Sequence, residues 1–122
     1  MSGMSGHVCS KILLVDDEPD GAEFAATLFG AHGLIVLVAH SAQEALQILH
    51  DQNDIDAVLT DVMMPTMGGL ELAKAIHQEY PQIKIVLMSG YAAPEQLNAE
   101  ERAYSFAEKP YRIEHVLKLL RA

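Results

Sequence analysis

Four short apolar runs punctuate the chain: KILLVD at 11–16, LIVLVAH at 34–40, DAVLTD at 56–61 and IKIVLMS at 83–89. None alternates with a clean period of two, so each predicts a strand covered on both faces, as in a parallel sheet. A weaker run, YSFAE at 104–108, predicts a fifth. Between the runs the period changes. Ala42, Ala45, Leu46 and Leu49 fall at helical spacing, and Ser41 with Glu44 three residues on reads as a capping box that starts this helix. A first helix is expected from near Pro19 to Gly33, a third from near Gly69 with Leu72, Ala73 and Ile76 inward, and a fifth burying Ile113, Val116, Leu117 and Leu120. The polar stretch PEQLNAEER at 94–102 is expected to supply the fourth. Five strands alternating with five helices predict an α/β sheet with right-handed crossovers, without repeats, linkers or a second domain.

Composition narrows the function classes. The chain has 122 residues, half of them hydrophobic, enough for one domain with a proper core. Eight Lys and Arg against 17 acids give a formal charge of -9, which argues against direct nucleic-acid binding and against a membrane surface. Cys9 is the one cysteine, which excludes an internal disulfide and a cysteine-rich zinc site and suits a reducing cytoplasm. No apolar run approaches the roughly 20 residues of a membrane span, and MSGMSGHVCS lacks the apolar core of a signal peptide. Residues 1–9 are expected to form a loose leader and residues 10–122 the folded domain.

The chemistry gathers where the apolar runs end. In open α/β sheets ligands collect beyond the carboxyl ends of the strands, near a topological switch point. The predicted strands end in Asp16 and Asp17, Asp61, Ser89, and Lys109 followed by Pro110. Two like charges 4 Å apart repel by about 4 kcal/mol at an effective dielectric near 20, so crowded acids either splay into solvent or await a cation. Asp17 and Asp61 offer hard oxygen ligands suited to Mg²⁺, and Asp61 is also a candidate nucleophile toward a phosphoryl group. Lys109 supplies a point positive charge and Ser89 a hydroxyl donor. Taken singly, each has a plainer reading: an acid run is a solvated loop or helix cap, and a lysine before proline is a surface residue. The six histidines show no ligand spacing, and GAHG and MGG match neither a phosphate-binding loop nor a dinucleotide fingerprint.

The segments LLVDDEPD, VLTDVMMPTMGGLEL, IVLMSGYA and FAEKPY stand in an order and at a spacing that resemble the receiver domains of two-component response regulators. The resemblance covers nearly all of the chain after the leader, which makes 10–122 the expected receiver domain. It implies a flavodoxin-like sheet of order 2-1-3-4-5, as in chemotaxis regulators. Asp61 then looks like the phospho-acceptor. Asp16 and Asp17 look like the acidic pair of a Mg²⁺ site completed by Asp61 and the backbone carbonyl of Met63. Ser89 and Phe106 look like the switch hydroxyl and switch aromatic, and Lys109 the phosphoryl-binding lysine. A cis Lys109–Pro110 bond is also implied.

The implied partners are a histidine kinase or histidine phosphotransfer protein upstream, and a downstream protein target or fused domain. The implied activity is self-catalysed phosphotransfer and dephosphorylation, not turnover as an enzyme, in a cytoplasmic monomer or weak dimer. Three positions depart from the common pattern: Met63 is apolar where relatives often carry an amide or acid, Gly68 stands where Asp or Ser is common, and Tyr91 in SGYA resembles receivers fused to sensor kinases. Two rival readings are a flavodoxin-like module holding a flavin, which the acidic rim opposes, and a metal-dependent phosphatase, which lacks an acid two residues after Asp61.

Overall fold

The computed structural model describes residues 9–89, 104–109 and 112–121. In chain order it contains β1 (Lys11–Val15), α1 (Pro19–Ala31), β2 (Ile35–Ala39), α2 (Ala42–Asp51), β3 (Ala57–Asp61), α3 (Gly69–Glu79), β4 (Lys84–Ser89), β5 (Ser105–Glu108) and α4 (Ile113–Arg121). All strand pairs are parallel, and the sheet runs β2-β1-β3-β4-β5. Each strand lies within one or two residues of its apolar run.

The lack of a period of two follows from cover on both faces. Successive side chains of a strand point to opposite faces. Ile12, Leu14, Leu59, Val86 and Met88 pack with Phe29 of α1 and with Val116 and Leu120 of α4. Leu13, Val15, Val58 and Leu87 pack on the other face with Ala45 and Leu49 of α2 and Leu72 and Ile76 of α3. β1, β3 and β4 are accordingly buried almost throughout. β2 is an exception, because it is an edge strand: Ile35 is 59% exposed and the next three residues are half-buried.

The expectation of five helices is corrected. The described residues form four, and the segment 94–102 lies outside them. Its sequence carries no apolar stripe, and the expectation of a helix there rests on the alternation of elements alone. The helix expected as the fifth, over Ile113, Val116, Leu117 and Leu120, is therefore α4.

Helix termini are set by local chemistry. Pro19 opens α1, where a missing N–H costs nothing, and Gly33 at φ +90 turns the chain out after α1. At α2 the Ser41 hydroxyl accepts the Glu44 N–H at 3.1 Å, as the capping box requires. The return bond is displaced by one residue: Glu44 Oε1 accepts the N–H of His40 at 2.7 Å, not that of Ser41. At the far end of the sheet the Asp56 carboxylate accepts the N–H groups of Ser10 and Lys11 at 2.8 and 3.0 Å, tying the start of β1 beside β3. No helix among the described residues is long and apolar enough to cross a membrane. Residues 1–8 of the expected leader, Tyr91 and the Lys109–Pro110 bond lie outside the described residues.

Candidate functional site

Asp61 is the last residue of β3, the middle strand, and is paired in register with Met88. It is only 5% exposed. The Thr60 hydroxyl, itself fully buried, donates to the Asp61 carbonyl at 3.1 Å and helps fix the strand end. On one side β1 runs out into Asp16 and Asp17. On the other side β4 ends in Ser89, whose carbonyl accepts the Lys109 N–H at 2.9 Å as the chain leaves β5. That bond holds Lys109 so that its Nζ forms an ion pair with Asp61 Oδ1.

The turn carrying the acid pair is pinned at several points. The Asp16 N–H donates to the Ala39 carbonyl at 3.0 Å, and Asp16 Oδ1 accepts the Glu18 N–H at 2.9 Å, an Asx-type turn that leads into α1. The imidazole Nδ1 of His40 lies 3.1 Å from the Asp16 carbonyl oxygen. One carboxylate oxygen from each of Asp16, Asp17 and Asp61 lies within 4.8 Å of the other two. Next to them opens a cleft of about 450 Å³ lined by Asp17, Glu18, Asp61, Met63, Met88, Ser89 and Lys109.

This crowding has an electrostatic signature. The Asp61 carboxyl is pushed up from the ordinary 3.8 to about 6, chiefly by burial, with Asp16 adding to the rise and the Lys109 ammonium opposing it. At neutral pH the group is ionised but poorly compensated, since one lysine faces three carboxylates. A set of hard oxygen donors with open space beside it fits a divalent cation that keeps part of its water shell. The cluster can therefore coordinate a metal ion.

Of the residues singled out in the sequence, Asp17, Asp61, Met63, Ser89 and Lys109 share the cleft, and Asp16 joins them through its carboxylate. Met63 is 70% exposed and Ser89 is buried. Phe106 does not line the cleft; it is half-buried, opposite Leu87 in the β4–β5 register, and packs against the core on the α2 and α3 face. Sequence reasoning missed Gly69. A Cβ there would sit 2.8 Å from the Asp61 carbonyl carbon and 2.9 Å from the Val62 Cα, so only glycine lets α3 start so close behind Asp61. Its only signal was the pair of glycines in MGG.

Residues 12–121 match the response regulator receiver domain family. The chain belongs to that family. Among curated relatives, the transcriptional regulatory protein CpxR of Escherichia coli is 34% identical over 114 residues, which cover 93% of this chain and 48% of CpxR. The sensor kinase CckA of Brucella abortus is 31% identical over 88% of this chain and 12% of its own length. The chain thus spans about half the length, or less, of the curated relatives it matches here. Among solved structures, the chemotaxis protein CheY4 of Vibrio cholerae superposes with a TM-score of 0.81 at 27% identity, covering 93% of this chain and 97% of that one. The response regulator TrrA of Thermotoga maritima, solved in complex with Mg²⁺ and BeF, gives 0.79 at 29% identity, covering 90% and 98%. As a receiver domain, the protein is a phosphoacceptor switch of two-component signalling that works by self-catalysed phosphotransfer and dephosphorylation.

Proposed function

We propose that Asp61 is the residue that accepts the phosphoryl group, with Mg²⁺ held by Asp16, Asp17, Asp61 and the backbone carbonyl of Met63. The observation that carries this reading is the placement of Asp61: buried at the end of the central strand, ion-paired to Lys109 and crowded by two further carboxylates. An Asp61 carboxylate oxygen forms the new O–P bond, while the donor's N–P bond breaks and its electron pair returns to the leaving imidazole of a phosphohistidine. No proton need be abstracted from Asp61 at neutral pH, since its carboxyl titrates near 6. A bound Mg²⁺ would supply charge neutralisation for the incoming phosphoryl oxygens. The Lys109 ammonium offsets the same charge from the other side, and the Ser89 hydroxyl stands on the cleft wall as a donor to a phosphoryl oxygen.

The proposed donor is a histidine kinase or histidine phosphotransfer protein, and the proposed output a change in affinity for a protein target or fused domain. Relatives of both kinds, a sensor kinase and a transcriptional regulator, support this. Phe106 is proposed as the aromatic that repacks when Ser89 is drawn toward the phosphoryl group. The proposed receiver spans 10–122, and the charge of -9 supports a unit without direct nucleic-acid contact.

Incubation with acetyl phosphate and Mg²⁺ should add one phosphoryl group, read by intact mass spectrometry, and Asp61→Asn should abolish it. Undiminished gain in Asp61→Asn, mapped to another residue, overturns the assignment.

A further inference from the structure

The geometry points to His40 as a positioning residue for the acid pair, through a hydrogen bond from its imidazole to the peptide between Asp16 and Asp17. This rests on the metal site proposed above. A carbonyl oxygen only accepts, so the 3.1 Å contact with the Asp16 carbonyl is made by an Nδ1 that carries the proton. The adjoining Asp16 N–H is bound to the Ala39 carbonyl at 3.0 Å. Two consecutive residues, Ala39 at the end of β2 and His40 just after it, therefore grip the backbone of Asp16 from both sides, one at its N–H and one at its carbonyl.

The carbonyl grip has the more direct consequence for the site. The Asp16 carbonyl, the Asp17 N–H and the Asp17 Cα share one rigid peptide plane, so fixing the carbonyl fixes the point from which the Asp17 side chain leaves and leaves only rotation about its N–Cα bond to be set. His40 is in turn held from below. Its own N–H donates to Glu44 Oε1 at 2.7 Å, and Glu44 is locked by its N–H to the Ser41 hydroxyl at 3.1 Å. The displaced return bond of the α2 cap thus acquires a reason: it anchors the residue whose ring reaches the acid turn. A connected path runs from the start of α2, through His40, to the Asp16–Asp17 peptide. Without the ring, the turn keeps its bonds to Ala39 and Glu18, but the peptide plane can rock, and binding a cation must then order it.

Asparagine places its amide Nδ2 the same number of bonds from Cα as the imidazole Nδ1, so it can renew the donor, whereas alanine cannot. Wild type, His40→Ala, His40→Asn and Asp17→Asn are titrated with Mg²⁺ and followed by amide shifts in NMR, with melting in EDTA recorded for each. His40→Ala should weaken Mg²⁺ by about three- to tenfold, the effect expected from losing one orienting hydrogen bond behind a ligand, while His40→Asn stays within about twofold of wild type. Because His40 is exposed, melting in EDTA should barely change across the His40 variants. Equal Mg²⁺ affinity in wild type and His40→Ala, with affinity lost in Asp17→Asn, overturns the positioning role and leaves the metal site standing. Equal loss in His40→Asn and His40→Ala also overturns it. Wild-type affinity in Asp17→Asn instead overturns the metal site, and this inference with it.

Discussion

Replacing Asp61 by asparagine should stabilise the metal-free protein at neutral pH, although it removes a buried ion pair. The reason is the direction in which the carboxyl is shifted. In the unfolded chain Asp61 titrates near the ordinary 3.8, and in the folded protein near 6, because burial and the neighbouring Asp16 outweigh Lys109. The native state therefore holds the proton more tightly than the unfolded state. Below about pH 4 both states are protonated and the group costs nothing extra; as pH rises from about 4 through 6 the unfolded state ionises first and the native state loses stability. A shift of this size corresponds to about 3 kcal/mol of lost stability once the pH is well above 6. Asparagine has nearly the same shape without the charge. It gives up the attraction to Lys109, whose side chain is 41% exposed and can turn to water. That loss is already contained in the shift, which is what remains after Lys109 has opposed burial and Asp16.

The expected gain for Asp61→Asn is about 3 kcal/mol at pH 7.5, falling to about 1 kcal/mol at pH 4.5. Urea unfolding of both proteins in EDTA at the two pH values measures it. Comparing variant with wild type at each pH cancels other titrating groups, including Asp54, whose carboxyl is held low by Lys11 and acts in the opposite sense. With Mg²⁺ present the advantage of asparagine should shrink or reverse, because a cation repays the wild-type charge. A variant less stable than wild type at pH 7.5 in EDTA, or a difference that does not change with pH, would refute the view that desolvation dominates at Asp61.

Three further outcomes are expected. Met63→Asn, which puts an amide on the exposed side of the cleft where it can orient water, should shorten the acyl phosphate lifetime; a tenfold change corresponds to about 1.4 kcal/mol, and decay followed by mass spectrometry after desalting with Mg²⁺ present measures it. Gly69→Ala should destabilise the fold by about 1–3 kcal/mol in urea and slow phosphorylation together, because the added Cβ pushes on the backbone of Asp61 itself. The Cys9 thiol, pushed up to about 11 chiefly by burial, should react with a disulfide reagent at pH 8 far more slowly in the folded protein than in urea.

Most of the sheet can be read from the apolar runs because three of its strands are buried on both faces, which leaves a continuous pattern in the sequence. The same reading fails at β2, whose run LIVLVAH is as apolar as the others although it forms an edge. Composition does not distinguish a covered strand from a half-covered one. The site residues stand out because a polar residue ending an apolar run is conspicuous: Asp16, Asp61, Ser89 and Lys109 all do so. Gly69 does not, since its role depends on where α3 passes behind Asp61, a contact between elements that no local pattern records. His40 is hidden for a similar reason. It resembles any polar residue after a strand until the chain brings it across to Asp16. The segment 94–102 has no apolar stripe, so its sequence alone gives no face to pack against the sheet.

The order of strands in the sheet also governs when the site comes into being. Its acids lie at the ends of β1 and β3 and its lysine after β5, so Asp17, Asp61 and Lys109 are each separated by more than a third of the chain. A chain still emerging from the ribosome can carry all three carboxylates while the ammonium that answers them has yet to be made. Until residue 109 is out and β5 has docked beside β4, such a chain has acids that repel one another and no Lys109 ammonium to offset them. The charge balance of the cluster is thus a property of the folded sheet, reached only when its last-made strand has docked.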